Sequence, residues 1–428
     1  MIIQNYSTLA KDHDIARGLQ ILSSGLESAM PQEELKKILN SNTIRIGKKR
    51  IKLSNYDSIH LVAFGKAANS MTKAVNSIIQ IKNGIVVVPK GAKSLIKNNK
   101  FQIFKSGHPV PDKTSVRAAK SILKFLKQRK KGELVIFLVS GGSSALLALP
   151  DRITLNDKVK MTKQLLVSGA TIHEMNCVRK HLSQIKGGRL VEGIPCDAIS
   201  LVMSDVMGND LSSIASGTTY FDNTKFSDTL KIIKKYHLEN KISKSVLNRL
   251  RLGASGKIPE TPKKTKIPHQ IILTNNNCIK SMKNKSKQLG ISFRTISISG
   301  DVAKAASQLV SNIPKTKNSC IIFGGETTVQ VKGKGKGGRN QELVLRILEK
   351  TQKTKRDLII SSLGTDGIDG NTKYAGAITK NITVNSKEIK SYLKNNNSMS
   401  FFKKYGGLIN TGYTHTNLMD IGIIIKLK

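Results

Sequence analysis

Residues 134–149 read LVIFLVSGGSSALLAL, and this stretch decides the fold. Six consecutive apolar residues without alternation suit a strand covered on both faces, as in a parallel sheet. A glycine pair flanked by serines then breaks the run, and a second apolar stretch follows. The same passage from apolar run to glycine loop recurs three times: LVAFGKAA at 61–68, CIIFGGETT at 320–328 and LIISSLGTDGIDG at 358–370. In an open α/β sheet such loops lie where strands end and helices begin, the place where ligands bind.

Working outward, the β-branched runs predict strands at Ile59–Phe64, Ile85–Val88, Leu134–Val139, Ala198–Met203, Gln270–Leu273, Cys320–Phe323 and Leu358–Ser362. Amphipathic spacing predicts a first helix over Asp14–Met30. Between the strands it predicts helices at Ala67–Ile81, Thr114–Arg129, Asp157–Thr171, Asn277–Leu289, Val302–Ser311 and Gln341–Glu349. This alternation predicts an α/β protein of doubly wound type. Residues 251–268, RLGASGKIPETPKKTKIP, hold three prolines and no apolar run, and are the expected linker. The expected domains are therefore 1–250 and 269–428, each long enough for its own core.

The 428 residues carry 71 Lys and Arg against 28 Asp and Glu, a formal charge of +43. An excess of this size raises affinity for polyanions as a hypothesis. Its distribution weakens that reading, because 57 of the cations are lysine, spread along the chain in ones and twos, whereas base reading leans on arginine. Specific nucleic-acid binding is not expected; the same field would draw in small anionic substrates. The four cysteines, Cys177, Cys196, Cys278 and Cys320, stand far apart with no CxxC pair, which argues against a zinc ribbon or a disulfide framework. The opening MIIQNYSTLAKDHD lacks the form of a signal peptide, and no apolar run reaches the length of a membrane span, so the reading is a cytoplasmic protein with no membrane partner.

Four groups of residues carry candidate chemistry. Ser140, Gly141, Gly142, Ser143 and Ser144 could form an anion-binding nest, with hydroxyls as further donors, or an ordinary glycine turn. Lys66 opens a helix after a strand and would sit beside such an anion, or in solvent; the surroundings do not make a Walker A loop. Residues 332–342, KGKGKGGRNQE, read as a flexible cationic loop ending in Arg339 and Asn340, an arginine suited to bidentate phosphate contact. The scarce carboxylates Asp205 with Asp210, Glu326, and Asp366 with Asp369 each follow a candidate strand. They suit Mg²⁺ shared with substrate phosphates, or turn capping. DGIDG lacks the bidentate Glu of a calcium loop, His108 and His173 have no partner at ligand spacing, and no GxSxG elbow occurs.

Taken together, FGKAANSM (64–71), SGHPVPD (106–112), LVSGGSSALLALP (138–150), MNCVRKHLSQIKGGRL (175–190), SDVMGNDLSSIASGTTYFD (204–222), GGETTVQVKGKGKGGRNQE (324–342), SLGTDGIDGNTKYAGA (362–377) and TGYTHTNLMD (411–420) occur in the order found in the class II glycerate kinases. The chain resembles that family from about residue 10 to 425. The resemblance implies two α/β domains, one Rossmann-like, the smaller C-terminal one known as the MOFRL domain, with the active site in the cleft between them. It implies ATP-dependent phosphorylation of D-glycerate with Mg²⁺ or a similar divalent cation, usually to 2-phosphoglycerate. The family's essential lysine and arginine fall on Lys66 and Arg339, and its SDVxG aspartate falls on Asp205. The cleft-lining blocks fall on Ser140–Ser144, on Arg179–Gly188 with Arg179, Lys180 and Lys186 as anion ligands, and on Thr365–Gly370.

Expected roles follow from that resemblance. Lys66 and Arg339 neutralise the transferring phosphoryl group, Asp205 activates the hydroxyl or holds metal, and Asn340 joins the phosphate ligands. Glu326, Asp366 and Asp369 support nucleotide or metal, with Asp205 and Asp366 as the metal carboxylates. Assembly into a homo-oligomer is compatible with all of this. Tyr413 and His415 depart from the family's GPTGTN, Thr218 stands where a proline is usual, and Asn209 where Asp is frequent. The alternatives are a kinase for another small hydroxy acid, or a basic polyanion-binding protein that has lost catalysis, which the retained acidic loops oppose.

Overall fold

The apolar runs of the first 272 residues become strands of one sheet, preceded by a short hairpin. The hairpin pairs β1 (Thr43–Ile46) with β2 (Lys49–Lys52). The sheet contains β3 (Ser58–Phe64), β4 (Asn83–Pro89), β5 (Phe101–Ser106), β6 (Glu133–Val139), β7 (Asp197–Met203) and β8 (His269–Leu273), in the order β5-β4-β3-β6-β7-β8. The β4–β5, β3–β4, β3–β6 and β6–β7 pairs are all parallel. Counting along the chain from β3, this is the order 3-2-1-4-5-6 of the Rossmann fold, so chain direction across the sheet reverses between β3 and β6. Those two strands are buried at every position but the first, as their unbroken apolar sequence requires.

Helix Lys113–Lys127 lays Ala118, Ala119, Ile122 and Leu126 into the core formed with Val62, Phe64, Val135 and Phe137. A second core joins helices Leu155–Val167, Ile172–His181, Phe226–Lys235 and Lys244–Ala254. Thr154 and Thr171 start the first two through reciprocal capping boxes with Asp157 and Glu174.

The remaining strands form a mixed sheet: β9 (Ser292–Asp301), β10 (Ser319–Thr328), β11 (Leu358–Gly364), β12 (Gly376–Lys380), β13 (Leu408–Ile409) and β14 (Asp420–Lys426), ordered β13-β12-β11-β14-β10-β9. Only β9–β10 is parallel; the other four pairs are antiparallel. The sequence reading did not include β9, β12, β13 or β14, although β14 lies between β11 and β10 near the centre of the sheet.

The structure describes residues 1–96, 99–264, 267–352, 357–380 and 382–427, and the chain divides elsewhere than the expected boundaries. One unit is Pro31–Ile272, here the central unit. The other, the split unit, joins Met1–Met30 to Leu273–Lys428. The first helix, His13–Ser28, belongs with the C-terminal sheet because its glycines permit close approach. A Cβ on Gly18 would lie 3.2 Å from side-chain carbons of Ile359 and Ile423, and one on Gly25 would lie 2.8 Å from Ile421. The expected linker 251–268 is likewise part of the central unit, apart from Thr265 and Lys266, which lie outside the described residues. Its first residues finish helix Lys244–Ala254, Glu260 accepts from the Phe226 amide at 2.8 Å, and the Pro262 carbonyl accepts from the Asp222 amide. Prolines break the apolar pattern here without freeing the chain.

Candidate active site

In the central unit the loops after β3 and β6 meet at the point where the sheet reverses. Gly65 (φ 127°) sits so close to Ser140 that a Cβ there would lie 2.5 Å from the Ser140 carbonyl oxygen. The Lys66 amide donates to Gly141 O at 2.9 Å, and the Ala67 amide to Ser140 Oγ at 3.0 Å. Ser143 Oγ donates to Phe64 O at 2.9 Å and also bonds the Ser140 carbonyl. The hydroxyls of Ser140 and Ser143 therefore stitch the two loops together and are buried. Gly142 (φ 79°) faces both the Lys66 side chain and His108: a Cβ there would come within 3.1 Å of Lys66 Cγ and of His108 Nε2. Lys66, His108 and Gly142 thus converge.

A cavity of about 450 Å³ opens beside this loop, lined by His108, Gly142, Ser144, Lys158, Leu166 and Arg179 among others. Lys158 was not among the expected residues. Its signal was register: with Met161 and Leu165 it occupies the buried side of helix Leu155–Val167, a position where an amphipathic helix would place an apolar residue. Lys186, fully buried, donates to Ala215 O at 3.4 Å, while Lys180 pairs with buried Asp222 at 3.2 Å. Lys180 is thereby spent on Asp222. Burial lowers the pKa of Lys158, Arg179 and Lys186 alike; Arg179 deepens the effect on Lys158, and Lys158, Arg179 and Lys180 deepen it on Lys186.

For Lys158, burial first and Arg179 second pull the ammonium down to about 8. Because the unfolded pKa is higher, the folded state holds fewer protons between the two values, so folding gains stability as pH rises above about 8. The titratable groups around it are Arg179, Lys186, Lys163 and the His108 imidazole. We expect Lys158→Met to raise the unfolding free energy at pH 7 and to flatten its increase toward pH 9.5. Guanidinium melts of both proteins at the two pH values check this, and parallel curves would refute it.

Three successive residues, Ala215, Ser216 and Gly217, hold φ of 54°, 54° and 61°. Two of them are not glycine, a strain that surrounding bonds must maintain. Lys186 and the Thr218 hydroxyl (2.7 Å) both donate to Ala215 O. Thr218, which departs from the family's proline, thus adds a tether. Ser216 Oγ donates to Asn176 Oδ1 at 2.9 Å and meets Ser144 Oγ at 3.0 Å. Asp210 is taken up by Ser212 and Ser213 at 2.6–2.9 Å, so of the pair in SDVMGND only half-buried Asp205 stays a candidate.

In the split unit Arg339 opens helix Arg339–Thr351. Its guanidinium meets Asp420 in bidentate fashion, Nε to Oδ2 at 2.6 Å and Nη2 to Oδ1 at 2.9 Å, and Nη1 reaches Glu326 at 2.5 Å. Burial works against the charge, but Asp420 and Glu326 outweigh it and raise the Arg339 pKa. Asp420 was missed, although it closes the TGYTHTNLMD block. Gly364 lies between carboxylates: a Cβ there would be 3.1 Å from Asp366 Oδ1 and 3.4 Å from Asp420 Oδ1. Asp369 is spent on the helix start, accepting from the Asn340 and Gln341 amides at 3.0 and 2.9 Å, and burial pushes its carboxyl up to about 7. The Asn340 side chain bonds Ser362 and Asp369.

The KGKGKGG segment is pinned, which corrects the expected flexibility. Gly335 donates to Asn395 O, Lys332 and Gly333 to Asn396 Oδ1, and Lys336 to Asn397 Oδ1. His415 holds φ 59°, as expected of a position where the family has glycine, and its ring packs edge-on against Tyr413 at 4.9 Å. Among the described residues no helix is long and apolar enough to cross a membrane.

Comparison with known proteins places this geometry. A model described as a domain of unknown function (DUF4147) matches residues 18–251, and that of the MOFRL family matches 319–420. The D-glycerate 2-kinase of Thermotoga maritima is 37% identical over 95% of this chain and 97% of its own length. The glycerate 2-kinase of Pyrococcus horikoshii is 34% identical over 95% and 96%. Among solved structures, a glycerate kinase of Thermotoga maritima superposes with a TM-score of 0.80 at 35% identity, covering 96% of this chain and 98% of that one.

Proposed function

The chain belongs to the glycerate kinase family, and from that premise we propose that it transfers the γ-phosphoryl group of ATP to D-glycerate, giving 2-phosphoglycerate. The observation that carries this reading is the match with D-glycerate 2-kinase over nearly the full length of both chains. The physical chemistry supports it. Phosphoryl transfer asks a protein to position two anions and offset charge on a loose transition state. The Rossmann-type reversal point with Lys66 beside Gly142 suits the first task, and the buried cations of the central unit suit the second.

In this reading Lys66 is a ligand of the transferring phosphoryl group, Asp205 accepts the proton of the attacking hydroxyl, and Arg339 is the anion-binding arginine of the split unit. Arg339 arrives already neutralised by Asp420 and Glu326, so its contribution is a fixed fork of donors more than net charge. Mg²⁺ enters with ATP as part of that substrate. No three His, Cys, Asp or Glu side chains group to hold a metal among the described residues. MgATP asks for less, one or two carboxylates beside its phosphates, and Asp366 of the split unit would supply one. Incubating the protein with D-glycerate, Mg²⁺ and ATP should yield 2-phosphoglycerate by ³¹P NMR. The 3-isomer would correct the position, and turnover only with another hydroxy acid would replace the acceptor.

A further inference from the structure

Charge balance separates two kinds of occupant for the cavity of the central unit. Its cationic lining residues are Lys158, Lys163 and Arg179, beside the His108 imidazole, with no Asp or Glu lining it among the described residues. Lys158 is 5% exposed, and no ion pair joins it or Arg179 to a carboxylate among the described residues. Fully buried Lys186 lies close enough that Lys158 and Arg179 both depress its pKa. The nearby carboxylate Asp222 is engaged by Lys180, Thr224 and Thr261. Burying like charges without counter-charge is costly, and a protein keeps such a cluster when a ligand supplies the missing anion.

A second observation comes from the hydrogen-bond chain on the same wall. Ser144 lines the cavity and meets Ser216, which donates to Asn176 Oδ1. The Asn176 amide nitrogen is buried with no hydrogen-bond partner. A buried donor left unsatisfied costs free energy, and this one sits two hydrogen bonds behind the cavity-lining Ser144. One carboxylate would match only one of the two cations Lys158 and Arg179. A phosphate group, carrying nearly two negative charges near neutral pH and three acceptor oxygens, matches them better. The volume points the same way, since about 450 Å³ falls in the range of pockets for ligands larger than a three-carbon acid.

We propose that this cavity, floored by Lys158 and Arg179, is a phosphate pocket that holds a phosphoryl dianion and does not hold the carboxylate of the acceptor acid. The proposal deepens the kinase reading and rests on it for the source of the phosphate, which is either the nucleotide or the phosphorylated product. Lys158 is then a binding residue for the phosphoryl-bearing ligand, and the apolar side of the cavity, with Val110 and Leu166 exposed at 57% and 58%, faces the remainder of that ligand.

The test is calorimetric titration of the full chain and of Lys158→Met with ADP, 2-phosphoglycerate, inorganic phosphate and D-glycerate. Methionine keeps the length of the side chain and removes an uncompensated charge, so the variant is expected to fold and to melt no lower than the parent. We expect at least one phosphate-bearing ligand to bind tenfold or more weakly to the variant, with D-glycerate changed less than threefold. Loss confined to ADP assigns the nucleotide as source, and loss confined to 2-phosphoglycerate assigns the product; either supports the pocket. Unchanged binding of every phosphate ligand, or an equal loss for D-glycerate, would overturn it. If the protein never turns over glycerate yet binds phosphate through Lys158, the kinase reading falls while the pocket stands.

Discussion

Replacing Lys66 by alanine is expected to lower kcat by about 10³-fold, the scale of removing one preorganised charge from a phosphoryl-transfer site. The melting temperature should move little, because Lys66 is only half-buried and its backbone amide makes the contact to Gly141 that fixes the loop. The loss should fall on kcat with KM for D-glycerate nearly unchanged, since the interaction is strongest when charge moves onto the transferring group. Lys66→Arg should not restore turnover, because a planar fork cannot occupy the place of a compact ammonium. Steady-state kinetics on the three proteins decide the matter. Near-normal turnover in the alanine variant would remove Lys66 from the chemistry.

The second large effect belongs to a residue absent from the expected site. Asp420 is 1% exposed and takes two of the three hydrogen bonds that hold the Arg339 guanidinium. Asp420→Ala would leave a partly buried cation with Glu326 alone, and breaking a buried pair from one side costs about 3–5 kcal/mol. We expect the unfolding midpoint in guanidinium to drop accordingly, and activity to vanish with it. The double replacement Arg339→Met with Asp420→Leu should recover most of the stability, since an apolar pair of similar volume is often neutral or better. It should recover no activity. Should the double variant turn over substrate, Arg339 would be a structural element only; if Asp420→Ala costs under about 1 kcal/mol, the pair behaves as an exposed one.

In the central unit β3, β4, β6 and β7 were legible because parallel strands covered on both faces write themselves as unbroken apolar runs, as in LVIFLV and LVAF, whereas the edge strand β5, FQIFKS, and the helices between 172 and 254 were not read. The split unit was harder. Its β12 is a short stretch, GAITK, and β9 alternates half-buried and exposed positions at one edge of the sheet. The last strand was missed though IGIIIK is apolar. It follows the irregular TGYTHTNLM segment, with no glycine loop and helix after it to mark a strand end.

Site residues divide along the same line. Lys66, the 140–144 loop and Arg339 sit where chain direction forces backbone turns, and glycine marks such places. Asp222 and Asp420 have no local signal, and Lys158 has only its register on an amphipathic helix, because burial and pairing are set by contacts distant in sequence. Similarly, Asp369 and Lys180 looked available as isolated charges, and the fold gives each a partner inside its own unit.

The division of the chain has a consequence for its birth on the ribosome. The central unit is complete once Ile272 has emerged, and it can fold while synthesis continues. Helix His13–Ser28 is made first, yet it must wait for the sheet that covers it, whose last strand ends at Lys426. Throughout that interval Leu19, Leu22 and Leu26 have no permanent cover, so newly made chains expose that apolar face until the last strand has emerged. Chaperone demand should therefore track elongation speed, with slow translation extending the exposure of that face.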